Sequence, residues 1–202
     1  MPTDASSHQR ASKRALRAAL GLFALGACGD AGTTDRTPTI VLPLEPPAGV
    51  EGLVAEFVEI CSQSMLNRTE AGATAASRGW EIEPGSAAAM AQIGMIAASK
   101  PDEDASLMLM PIDFPHQSGE NCQLNVFSPD RVEGIDVSTL DGMPGFLGGV
   151  QRVAADGDVA LIGRWSAIGP DGGVVTVSAT RATERFLTLN MTTTHPVDPP
   201  EQ

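Results

Sequence analysis

Tyrosine is absent from this chain of 202 residues, tryptophan occurs twice and phenylalanine six times. A core dominated by aromatic rings is thereby excluded, and alanine, valine, leucine, isoleucine and methionine must fill it. Basic residues are also scarce. Thirteen Lys and Arg stand against 25 Asp and Glu, a formal charge of −12. Such a surface repels nucleic-acid phosphates and anionic headgroups, so nucleic acid is not an expected partner. The charge suits a solubilised domain or a cationic partner. No segment reaches the roughly 20 consecutive apolar residues of a membrane-spanning helix. The sequence also lacks a Gly-x-Ser-x-Gly elbow, a phosphate-binding Gly-Lys loop, a dinucleotide fingerprint and an HExxH pair. No catalytic motif or cofactor site is therefore expected.

What is present begins with Cys28. Residues 1–17 carry Arg10, Lys13, Arg14 and Arg17 against a single acid, Asp4, and residues 18–27 are uncharged. A basic start, a short apolar run and small residues before a cut describe an export signal. Leu25-Gly26-Ala27-Cys28 has the order of a lipobox, with the obligatory cysteine just after the cut. The alternative is an ordinary signal peptide followed by a coincidental cysteine. Acyl chains on Cys28 would hold the protein on a membrane, where one chain alone holds weakly. The expected location is a membrane-anchored lipoprotein of the bacterial envelope, on the outer membrane or the periplasmic face, and otherwise periplasmic or secreted. Removing residues 1–27 takes away four basic residues and one acid and leaves a net charge of −15.

With Cys28 lipidated, Cys61 and Cys122 remain. An exported compartment is oxidising, which favours a disulfide between them. A reactive or metal-binding pair is the alternative, without CxxC spacing or a neighbouring histidine to support it.

Residues 28–49 hold four prolines among threonines and glycines and read as an extended linker, on the order of 60 Å when stretched. Ile40, Val41 and Leu42 within it offer an edge strand instead. A single domain is expected over residues 50–195, followed by a disordered tail over 196–202. Val50, Val54, Phe57, Cys61 and Met65 keep helical spacing. A second helix is capped by Thr69 and stopped by Gly79, after which Trp80 enters the core. An Ala-rich stretch, residues 86–99, reads as a third helix despite Gly94. Beyond it the period falls toward two. Strands are expected over 107–112, 122–128, 159–168, 174–180 and 186–193, the last three forming a meander around the Gly169–Gly173 turn and a tighter Thr183-Glu184 turn. The predicted fold is α+β: N-terminal helices packed on an antiparallel β-sheet of about five strands.

The order of Cys61, Arg78-Gly79-Trp80, Cys122 and Trp165 resembles a group of small exported alphaproteobacterial proteins that have no assigned activity. The resemblance spans residues 50–191, and its motifs are structural. It implies the same architecture and supports the Cys61–Cys122 pairing, and it transfers no catalytic residue. Gln123-Leu124 after the second cysteine and the Gly-Pro-Gly stretch depart from the group's pattern.

His8 lies in the signal, and His116 and His195 adjoin prolines in expected loops without ligand spacing, so no metal site is expected. The acidic clusters at 102–104 and 156–158 read as turns, without the calcium-loop pattern. The two Asn-x-Thr triplets, at Asn67 and Asn190, read as chance. The strongest functional candidate is residues 142–150, where Met143, Phe146 and Leu147 stand among four glycines and a proline. Exposed, these three form an apolar contact for an envelope partner; the alternative is packing over the sheet. The functional expectation is a lipid-anchored envelope protein with a non-catalytic binding role. The alternative is a periplasmic hydrolase whose site is assembled from distant residues.

Overall fold

Asn67, rather than Thr69, starts the second helix. Its side chain accepts hydrogen bonds from the backbone N–H groups of Thr69 and Glu70, two of the four donors a helix start leaves without partners. This detail belongs to a computed structural model that describes residues 39–84, 92–150, 159–182 and 184–197. Helix α1 (Gly52–Ser64) turns Leu53, Val54, Phe57, Val58, Ile60 and Cys61 inward, as their spacing predicts. Helix α2 (Arg68–Ser77) ends where Gly79 takes φ +85°, and Trp80 then folds back, its N–H donating to the Ala75 carbonyl. Trp80 is buried, as expected.

The rest is mainly sheet. Strands β1 (Glu81–Ile82), β2 (Ile96–Lys100), β3 (Ala105–Phe114) and β4 (Gln117–Val126) form a meander. A short helix α3 (Pro129–Glu133) and a 3-10 segment (Val137–Gly142) follow. Strands β5 (Leu147–Val150), β6 (Val159–Ile168), β7 (Val174–Ala182) and β8 (Leu187–Pro196) make a second meander. The sheet order is β1-β2-β3-β4-β8-β7-β6-β5, antiparallel throughout. Two units of helices then four strands thus stand back to back, joined where β4 and β8 pair from Gln117↔Pro196 to Val126↔Leu187. Each unit contains the same device: a buried tryptophan N–H donates to a carboxylate 24 residues earlier. Trp80 reaches Glu56 and Trp165 reaches Asp141, both at 2.8 Å.

The core lies between the helices and one sheet face. Leu107, Leu109, Cys122, Leu124, Val177, Leu187, Leu189 and Met191 alternate along their strands toward α1 and α2. The opposite face is polar and uncharged at its centre. Its cross-strand rungs run Ser106–Asn125–Thr188–Thr180, Met108–Gln123–Asn190–Ser178 and Met110–Asn121–Thr192–Thr176. Side chains along them bond each other, as Thr188 Oγ1 does to Asn125 Oδ1 at 3.0 Å. At the seam the strands come close: a Cβ on Gly119 would stand 1.9 Å from the Thr193 carbonyl oxygen, so glycine alone fits there.

The α+β class holds, with eight strands among the described residues in place of about five. The Ala-rich third helix is corrected at its C-terminal end, where Ile96–Lys100 is strand β2; residues 85–91 lie outside the described residues. Gly94, at φ +68°, breaks any helix there, and Ala98 is buried against the sheet's neighbours. Residues 113–121, expected as a polar loop, extend β3 and β4 to a tight turn at Pro115-His116. Their polar residues hid the strand because one sheet face is itself polar. The meander β6–β7–β8 forms as predicted, its first turn closed by Gly169 N–H donating to the Gly173 carbonyl at 2.8 Å.

The expected linker also needs revision. Its first part, with Cys28, lies outside the described residues, but its last part is packed. Ile40 (3% exposed) and Leu44 (8%) belong to the core, and Ile40 N–H donates to the Ile168 carbonyl. The packed chain therefore begins at least ten residues before Val50. The tail likewise joins the sheet through Pro196, and the Val197 N–H donates to the His116 carbonyl.

Candidate functional site

The glycine-rich segment is held at its start by Asp136. This carboxylate accepts bonds from the Ser138 hydroxyl and backbone N–H, which lower its pKa below the usual carboxylate value, and it caps the 3-10 segment Val137–Gly142. The chain then turns, with Met143 N–H donating to the Leu140 carbonyl, and enters edge strand β5. The structure divides the three candidate residues. Met143 is buried (4% exposed), Phe146 is partly buried against the core, and Leu147 is 65% exposed at the start of β5.

Gly145 presses on the segment that sequence reasoning left as spacer. With φ +80°, it approaches Ile40 so closely that a Cβ would stand 2.8 Å from Ile40 Cγ2. Between the two segments runs a groove of about 450 Å³, lined by Val41, Pro43, Leu44, Pro144 and Gly145 among others. Val41 on its lining is 80% exposed, and Leu147 and Val150 on β5 are exposed as well. A second groove, about 720 Å³, is lined by the same segment together with α1 and α2. It is acidic, lined by Glu45, Glu51, Glu56 and Glu59; Arg78 answers Glu59 at 2.7 Å. Val41, Pro43, Leu44 and Glu45 thus line both grooves. The apolar triplet Ile40-Val41-Leu42 was the available signal, and the surrounding prolines masked it.

Cys61 and Cys122 form a disulfide between α1 and β4, with Cα atoms 5.3 Å apart and both residues buried. The pair is structural, and neither thiol is left for nucleophilic or metal chemistry. No group of three or more His, Cys, Asp or Glu side chains is placed to hold a metal among the described residues. No described helix is long and apolar enough to cross a membrane.

The histidines separate. His8 lies outside the described residues, and His116 occupies the β3–β4 turn. His195, on β8, packs its ring on Gly173 and sets Nε2 3.4 Å from the Asp171 carboxylate. Ser118 is its direct cross-strand neighbour on β4.

No protein-family model, curated protein or solved structure matches the chain. The resemblance to small exported alphaproteobacterial proteins therefore rests on the spacing of Cys61, Trp80, Cys122 and Trp165 alone.

Proposed function

We propose that this is an exported, lipid-anchored domain of the bacterial envelope that acts by binding a partner protein rather than by catalysis. Anchoring rests on the lipobox at Cys28, and the Cys61–Cys122 disulfide fits an oxidising compartment. The observation that carries the binding reading is the exposure of Val41, Leu147 and Val150, the last two on β5, which is an edge strand of the sheet among the described residues. The opposite edge, β1, is two residues long and carries Glu81, features that discourage pairing. Edge strand β5 has no charge or proline. An extended partner segment with apolar side chains would add to β5, and basic residues on it would answer the acidic groove.

The test uses protein recovered from membranes. The N-terminal peptide is expected to begin at Cys28 with acyl mass added, and a photocrosslinker at position 147 is expected to capture one envelope protein. Val41→Asp with Leu147→Asp should abolish that capture and leave stability within about 0.5 kcal/mol, because both sites are exposed. An unmodified N-terminus after Ala27 would remove the anchor, and capture that survives the double variant would remove the binding surface.

A second reading, a hydrolase, is favoured by one arrangement: Ser118 and Asp171 stand on either side of His195. A histidine oriented by a carboxylate acts as general base toward a hydroxyl within hydrogen-bond reach. The proposed binding role predicts that purified protein hydrolyses p-nitrophenyl esters no faster than buffer. Turnover that disappears in His195→Ala would establish the hydrolase instead.

A further inference from the structure

Among the described residues, one buried side-chain nitrogen has no hydrogen-bond partner, Nε of Arg181. Arg181 lies on β7, paired with Ala160 and Leu187. Among the described residues its guanidinium makes one long bond, Nη2 donating to the Val132 carbonyl at 3.4 Å. It joins no ion pair among the described residues. A guanidinium carries five N–H donors in a fixed fork, and a buried charged donor without an acceptor is costly. Such groups in folded proteins call for an explanation, commonly a ligand, ion or water.

The surroundings indicate which. Arg181 lines a cavity of about 330 Å³ with Pro129, Val132, Glu133 and Glu184. Pro129 and Val132 supply an apolar wall. Glu133 and Glu184 are exposed and reach the same cavity without closing on the guanidinium. A cation, two carboxylates and an apolar wall thus share a space at the small end of the range for ligand pockets, about 300–1,000 Å³.

We propose that this cavity binds a small zwitterion of amino-acid size, with its carboxylate on the Arg181 guanidinium and its ammonium toward Glu133 and Glu184. The planar fork of arginine matches a carboxylate and satisfies the otherwise unpartnered Nε–H. A simple anion is disfavoured by the two adjacent carboxylates and by a chain whose formal charge is −12. A simple cation would leave the guanidinium unanswered. A ligand that carries both charges answers all three side chains at once. The site is built from α3, β7 and the β7–β8 turn, shares no lining residue with the groove at Val41, and does not depend on the binding role assigned there.

Nitrogen-15 NMR of the whole domain reads the Arg181 Nε–H directly. Glycine, alanine and lysine are titrated, with acetate and methylammonium as single-charge controls. At least one amino acid should move the Nε–H resonance saturably below about 50 mM, and both controls should bind about tenfold more weakly or less. Arg181→Gln should weaken binding by about tenfold or more, and Glu133→Gln with Glu184→Gln by about two- to fivefold. The site is overturned if no amino acid gives a saturable shift, which would leave water as the only partner of Nε. It is also overturned if acetate binds as well as the amino acids, or if the glutamate variants bind unchanged. Should Arg181→Gln fail to fold, the titration of unaltered protein and the two exposed glutamate variants still decide the matter.

Discussion

Replacing Cys61 and Cys122 together by alanine is expected to lower the unfolding free energy by about 4 kcal/mol. The two residues are 61 apart in sequence, and opening a loop of that length releases considerable entropy to the unfolded chain. The bond also ties the middle of the chain together. Cys61 lies near the end of α1, and Cys122 lies on β4 at the centre of the sheet, opposite Leu109 on β3 and Met191 on β8. Freed of this tie, α1 keeps its apolar face on the core but loses its one covalent link to it. Urea unfolding of oxidised protein, of protein with dithiothreitol and of the double variant measures the effect. The reduced protein and the variant should share a lowered midpoint, with the thermal midpoint down by roughly 10 °C. An unchanged midpoint would mean that the unfolded chain is already constrained in another way.

Trp165→Ala should be comparably severe, about 4 kcal/mol. Trp165 is 1% exposed on β6, and its ring lies over Gly163, where a Cβ would meet the ring at 2.3 Å. Alanine leaves a void beside a glycine that has no side chain to fill it. Trp165→Phe separates packing from polarity, since phenylalanine keeps most of the volume and drops the N–H that donates to Asp141. That change should cost about 1–2 kcal/mol, in part because Asp141 loses its partner. Chemical denaturation of Trp165→Phe, Asp141→Ala and the double variant closes the cycle. A coupling near zero would show that the bond contributes nothing beyond the ring's burial.

The legible part of this fold is the part where one physical signal dominates. Helical spacing from Val50 to Met65 placed α1 and turned Cys61 inward. The Gly-Pro-Asp-Gly-Gly turn placed β6 and β7 in register. The α+β class followed from helices coming before strands. Elements were missed where two signals compete. At Ala97-Ala98 the helix propensity of alanine was overridden by pairing with β3, where small residues fit between neighbours. In the first half of β4 the run from Gln117 to Asn121 reads as loop, because it is polar throughout and one sheet face is itself polar. In residues 39–45 prolines suggested a free spacer, yet Ile40 and Leu44 are core. The candidate loop at 142–150 was found from its glycines, but which of its apolar side chains faces outward depends on the turn after Gly142, and spacing alone does not resolve that. The His195–Asp171 pair and the Arg181 cavity were invisible, since each joins residues from separate elements and neither leaves a motif.

The pairing of β4 with β8 has a consequence for timing. Strand β8, the last strand among the described residues, is not a peripheral addition but an interior strand, with β4 on one side and β7 on the other. Until it is present, each meander ends in an unpaired strand with a row of open backbone groups. On the proposed export route, with the chain delivered through a membrane from its N-terminus, it cannot seal its own sheet while still in transit. It completes the native structure only after the last residues arrive, and it stays threadable until then.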